Sequence, residues 1–161
     1  MPAKQLKEFL DSHNVKYVTM THSTAYTAQE IASLAHVRGD EFAKTVIVRI
    51  DGAMVMAVLP ASHHVDLALL KAAAKGKKIV LASETDFRDK FPECETGAMP
   101  PFGQLYGMPV FVDESLTRVK QIAFNAGTHH ELIRISWEDF ARLVQPNVAT
   151  FSTTSESALR L

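Results

Sequence analysis

The chain has 161 residues, 47% hydrophobic and 22% charged, the make-up of one globular domain large enough to bury a core. Its net charge of −1 excludes a broadly basic body held on nucleic acid by bulk charge, but leaves room for a local basic patch. The single cysteine, Cys94, excludes an internal disulfide and suits a reducing cytoplasm, and no apolar run approaches the roughly 18 residues that cross a bilayer. Nor does the N-terminal stretch carry the basic start, apolar run and small-residue site of a secretory leader, so no membrane association is expected.

In chain order, PAKQLKEFLDSH places Leu6, Phe9 and Leu10 at helical spacing, and VKYVTMTH reads as a strand. Thr27 followed three residues later by Glu30 is a capping-box pattern, which predicts a second helix through Ile31, Leu34 and Ala35. Two apolar, β-branched runs flank Asp51-Gly52 in AKTVIVRIDGAMVMAVLP, the pattern of a tight hairpin. VDLALLKAAAKG predicts a helix stopped by Gly76, and KKIVLAS a short strand. SETDFRDKFP places Glu84 and Asp86 at a helix start and ends before Pro92. MPVFVDESL gives a strand and a turn, QIAFNAG and HELIRIS two strands around a glycine turn, and SWEDFARLVQP a last helix capped by Ser136. The Ser- and Thr-rich remainder, 147–161, reads as a mobile tail after a domain of residues 1–146. Hairpins beside isolated strands predict an α+β domain with a mixed, mostly antiparallel sheet, curled towards a barrel and surrounded by helices.

Seven histidines raise the question of a metal. His63-His64 and His129-His130 are adjacent pairs, and strand neighbours point to opposite faces, so one of each pair at most enters a site. No HExxH, CxxC or His-x-His spacing occurs, which favours a reading without metal. Of these histidines His130 keeps interest, beside Asn125 and Gly127 at a turn. Cys94 stands between Glu93 and Glu95, neighbours that disfavour a thiolate nucleophile. Asp40, Glu41 and Asp51 are candidate bases, but sit near turns where solvation is the default. Lys44, at the start of KTVIVRI, is either a solvated strand end or a cation whose head reaches a cleft to hold phosphate or carboxylate.

The uncharged stretch GAMPPFG, residues 97–103, also has two readings. It is a surface turn, since Gly and Pro-Pro are ordinary punctuation. Alternatively its glycines permit close backbone approach and its prolines stiffen a loop whose free amides hold a carbonyl oxygen as it gains charge.

Four separated segments in order resemble the YbaK/EbsC family, also called the prolyl-tRNA synthetase-associated or aminoacyl-tRNA editing domain. They are HSTAYTAQEIA, FAKTVIVRIDGAMVMAVLPASHHVDL, FPECETGAMPPFGQLYGMPVFVDESL with its G-x-x-x-P loop, and IAFNAGTHHELIRIS. The resemblance covers roughly residues 1 to 145. It implies a barrel-like core and an activity: hydrolysis of the ester between a wrong amino acid and its tRNA, in trans to a synthetase. Such editing compensates for the ~1–3 kcal/mol per methylene by which binding alone separates small side chains.

By the same resemblance, Lys44 orients the terminal adenosine or its phosphate, and Gly97 and Pro101 frame the loop whose amides, around Ala98 and Met99, grip the ester carbonyl. Asn125, Gly127 and His130 line the pocket, with His22, Tyr26 and Thr27 as another wall and Phe102, Met99 and Met56 setting its size. Tyr26 as core and Thr27 as a helix cap are the competing readings. Water placed by the loop and the substrate's own ribose hydroxyl would suffice, with no metal and no cofactor. The implied partner is the acceptor end of mischarged tRNA, with a synthetase as an optional second partner and no DNA; a monomer is the default. This chain departs from the pattern at Pro100, which deletes one amide from the loop. Family members differ in the misacylated pair they clear, and the residues here do not name the pair. A non-catalytic module that binds tRNA ends or a synthetase is the alternative, with a hydrolase of another small acyl ester behind it.

Overall fold

The computed structural model describes residues 4–21, 40–91, 94–95 and 97–154. Helix α1 (Lys4–Ser12) buries Leu6 and Leu10 and ends at Asn14, whose φ of 56° turns the chain back so that the Val15 amide donates to Leu10 O. Strand β1 (Val18–Thr21) follows. The helix expected after Thr27 lies outside the described residues. Strands β2 (Ala43–Ile50) and β3 (Ala53–Pro60) form the expected hairpin, with Asp51 and Gly52 both at positive φ, 51° and 88°. The Asp51 carboxylate accepts the amides of Lys77 (3.0 Å) and Lys78 (2.9 Å), so it braces the hairpin tip rather than serving as a base.

Strand β4 (His63–Val65) leads to helix α2 (Leu67–Ala74), capped by the Asp66 carboxylate on the Leu69 amide. Gly76 was the expected stop, but the left-handed residue is Lys75 (φ 57°). Gly76 is needed for a different reason: a Cβ there would come within 2.5 Å of Ile50 Cγ2. Strand β5 (Ile79–Leu81) and the short α3 (Glu84–Phe87), with a Ser83–Asp86 capping box, come next. After β6 (Val110–Asp113), β7 (Gln121–Asn125) and β8 (Glu131–Ser136), helix α4 (Trp137–Val144) starts at its Ser136 cap.

The region expected to be a mobile tail is structured up to residue 154. Strand β9 (Asn147–Ala149) pairs with β6, β10 (Ser152–Thr154) pairs with β4, and Phe151 between them is fully buried. The sequence signal was weak because one phenylalanine and a polar partner do most of the anchoring. The buried Asp113 carboxylate accepts the amides of Phe151 and Ser152, each at 3.0 Å, and the amide and hydroxyl of Ser115. Burial alone would raise its pKa, but hydrogen bonds from Ser115, Phe151 and Ser152 outweigh it and hold the carboxyl below the usual aspartate range.

The strands form three sheets, ordered β5-β2-β3-β6-β9, β1-β8-β7 and β10-β4. Pairing is antiparallel except along β3-β6-β9, so the architecture is mixed α+β, and among the described residues no sheet closes on itself. Alternation along β2 and β3 divides the interior in two. Ile47, Met56 and Val58 face the main core with Leu10, Phe124, Ile133 and Phe140. Val48, Val55, Ala57 and Leu59 face a smaller core closed by Leu70 and Phe151. No helix among the described residues is long and apolar enough to cross a membrane.

Candidate active site

GAMPPFG is not a surface turn. Ala98 to Gly103 are all buried, and Gly97 alone is exposed. Phe102, expected in the pocket, is instead core: it is fully buried, with Phe9, Phe124 and Phe140 around it at ring separations of 6.0, 5.3 and 5.5 Å. It anchors the loop and has no surface left for a ligand. Met56, also expected to size the pocket, is fully buried in the same core. The two glycines serve different ends. Gly97 sits at φ 87°, a conformation that disfavours any side chain. Gly103 has no room for one, since a Cβ would meet Met108 O at 2.1 Å.

The loop is stitched to the β7–β8 turn. Gly127 N donates to Ala98 O (2.9 Å), and Glu95 N donates to Gly127 O (2.8 Å). A Cβ on Gly97 would touch His129 Cε1 at 3.4 Å, so the imidazole lies against bare backbone. The structure thus brings Gly127 against the strap that carries Gly97, Ala98 and Met99. Of the histidine pair, His129 is the one turned in, 6% exposed, whereas His130 stands outward with its amide on Thr128 Oγ1 (3.4 Å). Strand alternation could not select between them, because both precede β8 in a turn.

The loop's donors differ from the expected set. The Ala98 amide is engaged by Glu95 O at 3.0 Å, and the Gly97 amide by the weak thioether acceptor of Met99 at 3.3 Å. Pro100 and Pro101 have none. Among the described residues, the amides of Met99 and Phe102 have no acceptor.

Lys44 reaches this neighbourhood through the sheet register. An isolated parallel bridge joins Phe42 to Ala123, and the Ala123 amide donates to Glu41 O. Lys44 and Asn125 each stand two residues beyond that bridge on their own strands, and strand alternation turns both away from the main core that holds Ile47, Ile122 and Phe124. Lys44 is half-buried, and burial pulls its pKa below the ordinary lysine value. Among the described residues its ammonium has one hydrogen bond, to Ala61 O at 3.5 Å, and no ion pair. Asn125 is 7% exposed, and its buried Oδ1 has no partner among the described residues. A desolvated cation with idle donors beside an idle acceptor is an arrangement suited to a polar, anionic ligand.

His22, Tyr26 and Thr27 lie outside the described residues. Asp40 and Glu41 flank a separate cleft at the other end of β7. Cys94 is half-buried with its sulfur 3.5 Å from the Tyr106 hydroxyl. No three His, Cys, Asp or Glu side chains among the described residues group as metal ligands.

Lys44, the 97–103 strap and the β7–β8 turn all fall within the stretch that matches one family model, the aminoacyl-tRNA editing domain. The chain belongs to that family, whose model matches residues 22–143. It is similar to the Multifunctional Ser/Thr-tRNA deacylase ProXp-y of Escherichia coli strain K12, 26% identical over 157 residues that cover 94% of this chain and 93% of the relative. It is also similar to the Prolyl-tRNA editing protein ProX of Acetoanaerobium sticklandii, 26% identical over 148 residues, 88% and 90% of the two chains. A solved structure described as a candidate trans-editing enzyme for prolyl tRNA synthetase superposes with a TM-score of 0.81 over 94% of this chain and 97% of that one. At 20% identity, that likeness speaks for the fold alone.

Proposed function

We propose that this protein is a stand-alone deacylase of mischarged tRNA, acting in the cytoplasm on the acceptor end. The observation that carries the reading is the pair Lys44 and Asn125, a starved cation and a starved acceptor beside a strap with an unused amide. In this reading the ammonium of Lys44 takes an anionic or lone-pair oxygen of the terminal nucleotide, and its lowered pKa reflects the cost of waiting for it in a dry site. The Met99 amide, freed by the fold of the strap, holds the ester carbonyl oxygen as charge develops there. Water attacks the carbonyl carbon, the bond to the ribose oxygen breaks, and the water's proton passes to that oxygen by way of the neighbouring ribose hydroxyl. The products are the free amino acid and uncharged tRNA. Gly97 and Pro101 act through backbone shape, and His129, rather than His130, forms the wall beside Gly97.

Incubation with a panel of mischarged tRNAs tests the proposal. Hydrolysis of at least one, abolished in Lys44→Ala that still folds, is the expected result. Full activity in that variant removes the role given to Lys44, and no hydrolysis across the panel removes the deacylase reading.

A further inference from the structure

The face of β7 that carries Asn125 also carries Ala123 and Gln121, by strand alternation. Gln121 stands at the far end, about 13 Å from Asn125 at the usual rise per residue. There it enters an open cleft of about 250 Å3, also lined by Lys16, Tyr17, Val18, Arg134, Ser136 and Asp139. Register explains the gathering. Arg134 of β8 is opposite Ala123 on one side and Val18 of β1 on the other, so its side chain shares the Asn125 face. Lys16 precedes β1 at the same edge.

Two properties mark the cleft. Its cations are not neutralised: among the described residues neither Lys16 nor Arg134 has an ion pair, and the acid beside them, Asp139, is held by Arg142 at 3.1 Å. Its other lining residues are the polar Gln121, Ser136 and Tyr17 and the apolar Val18 and Ile135. A second cleft, containing Lys120, adjoins it at Gln121. Lys120 is exposed and likewise has no ion pair among the described residues. Lys16 and Arg134 give the first cleft a local positive charge in a chain of net charge −1, while in the adjoining cleft Lys120 stands with the carboxylates of Asp40 and Glu41.

We infer that this groove, centred on Lys16 and Arg134 with Lys120 at its rim, holds the phosphate backbone of the tRNA acceptor arm upstream of the terminal adenosine. The inference rests on the deacylase reading for the identity of the nucleic acid. The groove's distance from Asn125 exceeds the reach of the terminal nucleotide's own phosphate. The two ends of the face then divide the work: Lys44 and Asn125 read the aminoacylated end, and the groove positions the strand that delivers it. Contacts of this kind fix register without reading sequence, so the groove contributes affinity rather than a choice of amino acid.

The test is binding of uncharged tRNA to the full chain by fluorescence anisotropy across a salt series, with wild type and Lys16→Gln/Arg134→Gln. Lys16 is exposed and Arg134 half-buried, and an unchanged melting temperature confirms that the variant folds. Expected is roughly tenfold or weaker binding, with the slope of log K against log salt smaller by about one per lost phosphate contact. Equal affinity and equal slope overturn the inference. A second arm compares deacylation of a mischarged acceptor minihelix with that of the aminoacylated terminal trinucleotide. The variant should raise KM for the minihelix and leave kcat and the trinucleotide reaction unchanged; an equal loss on both substrates overturns the groove's role. The binding arm stands even if no substrate is hydrolysed, so failure of the groove and failure of the deacylase reading are read separately.

Discussion

Lys44 and Asp113 are both charged, both withdrawn from water and both at one end of a strand in the five-stranded sheet, yet they are provisioned in opposite ways. Asp113 accepts from two amides of the C-terminal segment and from the amide and hydroxyl of Ser115, and its pKa is held low. Lys44 has one long contact to a carbonyl, and burial without compensation pulls its pKa down. A buried charge that is fully satisfied within the chain is spent on structure. One left with idle hydrogen-bonding capacity costs stability, and a fold retains it where a ligand completes the shell.

The sharpest break of that contrast is Lys44→Met, which keeps the stem and removes the charge. Deacylation of a susceptible mischarged tRNA should fall by roughly 10²–10³, the scale of losing one electrostatic stabiliser. Stability at neutral pH should hold or rise. In the window between the lowered folded pKa and the ordinary lysine value, the unfolded chain binds more protons, so wild-type stability rises with pH there. The penalty of Lys44 is fully present below its folded pKa, and the gap between variant and wild type should close as pH rises. Urea melts at pH 7 and at alkaline pH measure this; a variant clearly less stable at pH 7 would make Lys44 a structural residue.

Asp113→Asn should do the reverse. Replacing the acceptor of four donors by an amide leaves buried N–H groups unmet, at a cost on the order of 2–4 kcal/mol. The effect has a defined pH window. Because the folded pKa is depressed, the stabilisation by Asp113 is complete above the unfolded value near 4 and is lost as pH falls through the folded value. The difference between wild type and variant in denaturant melts should therefore shrink in acid, while kcat near neutrality stays close to wild type.

Gly97→Ala is the next smaller effect, and it tests the strap. The new Cβ would meet His129 Cε1 at 3.4 Å, an ordinary contact, so the cost comes from φ 87° and should be about 1–3 kcal/mol. If the strap's shape sets the Met99 amide, kcat should fall with KM little changed. A loss confined to melting temperature would separate the strap from the chemistry.

Much of this was legible in the sequence, for identifiable reasons. The Asp51-Gly52 hairpin, the Ser136 cap and the helix containing Leu70 follow from local turn and capping chemistry. The resemblance of ordered segments to a family singles out Lys44 and the 97–103 strap. Other features depended on partners distant in sequence. Phe102 reads as a pocket residue until Phe9, Phe124 and Phe140 surround it. Residues 147–154 read as a tail because Asp113, more than 30 residues earlier, supplies the anchoring acceptor. The β7–β8 turn, about 30 residues on, fixes the strap through Gly127 N on Ala98 O and Glu95 N on Gly127 O. Polar satisfaction is settled by tertiary structure, so which donors remain idle was the least readable property of the site.

Asn125→Leu is the smallest effect and the cleanest separation of the two kinds of buried group. The substitution is close to isosteric, and it removes an Oδ1 that has no partner among the described residues. Removing a hydrogen bond that does not exist costs nothing, and burying an apolar group in place of an orphan acceptor is favourable. Stability should stay within about 0.5 kcal/mol of wild type or rise. If Asn125 completes its shell only when the substrate arrives, deacylation should fall roughly tenfold, the worth of one hydrogen bond made in the bound complex. The pair of readouts matters more than either alone. A variant that loses stability with Asn125 would resemble Asp113 and place the residue with the scaffold. A variant equally stable and equally active would leave the buried acceptor beside Lys44 without a function in the reaction.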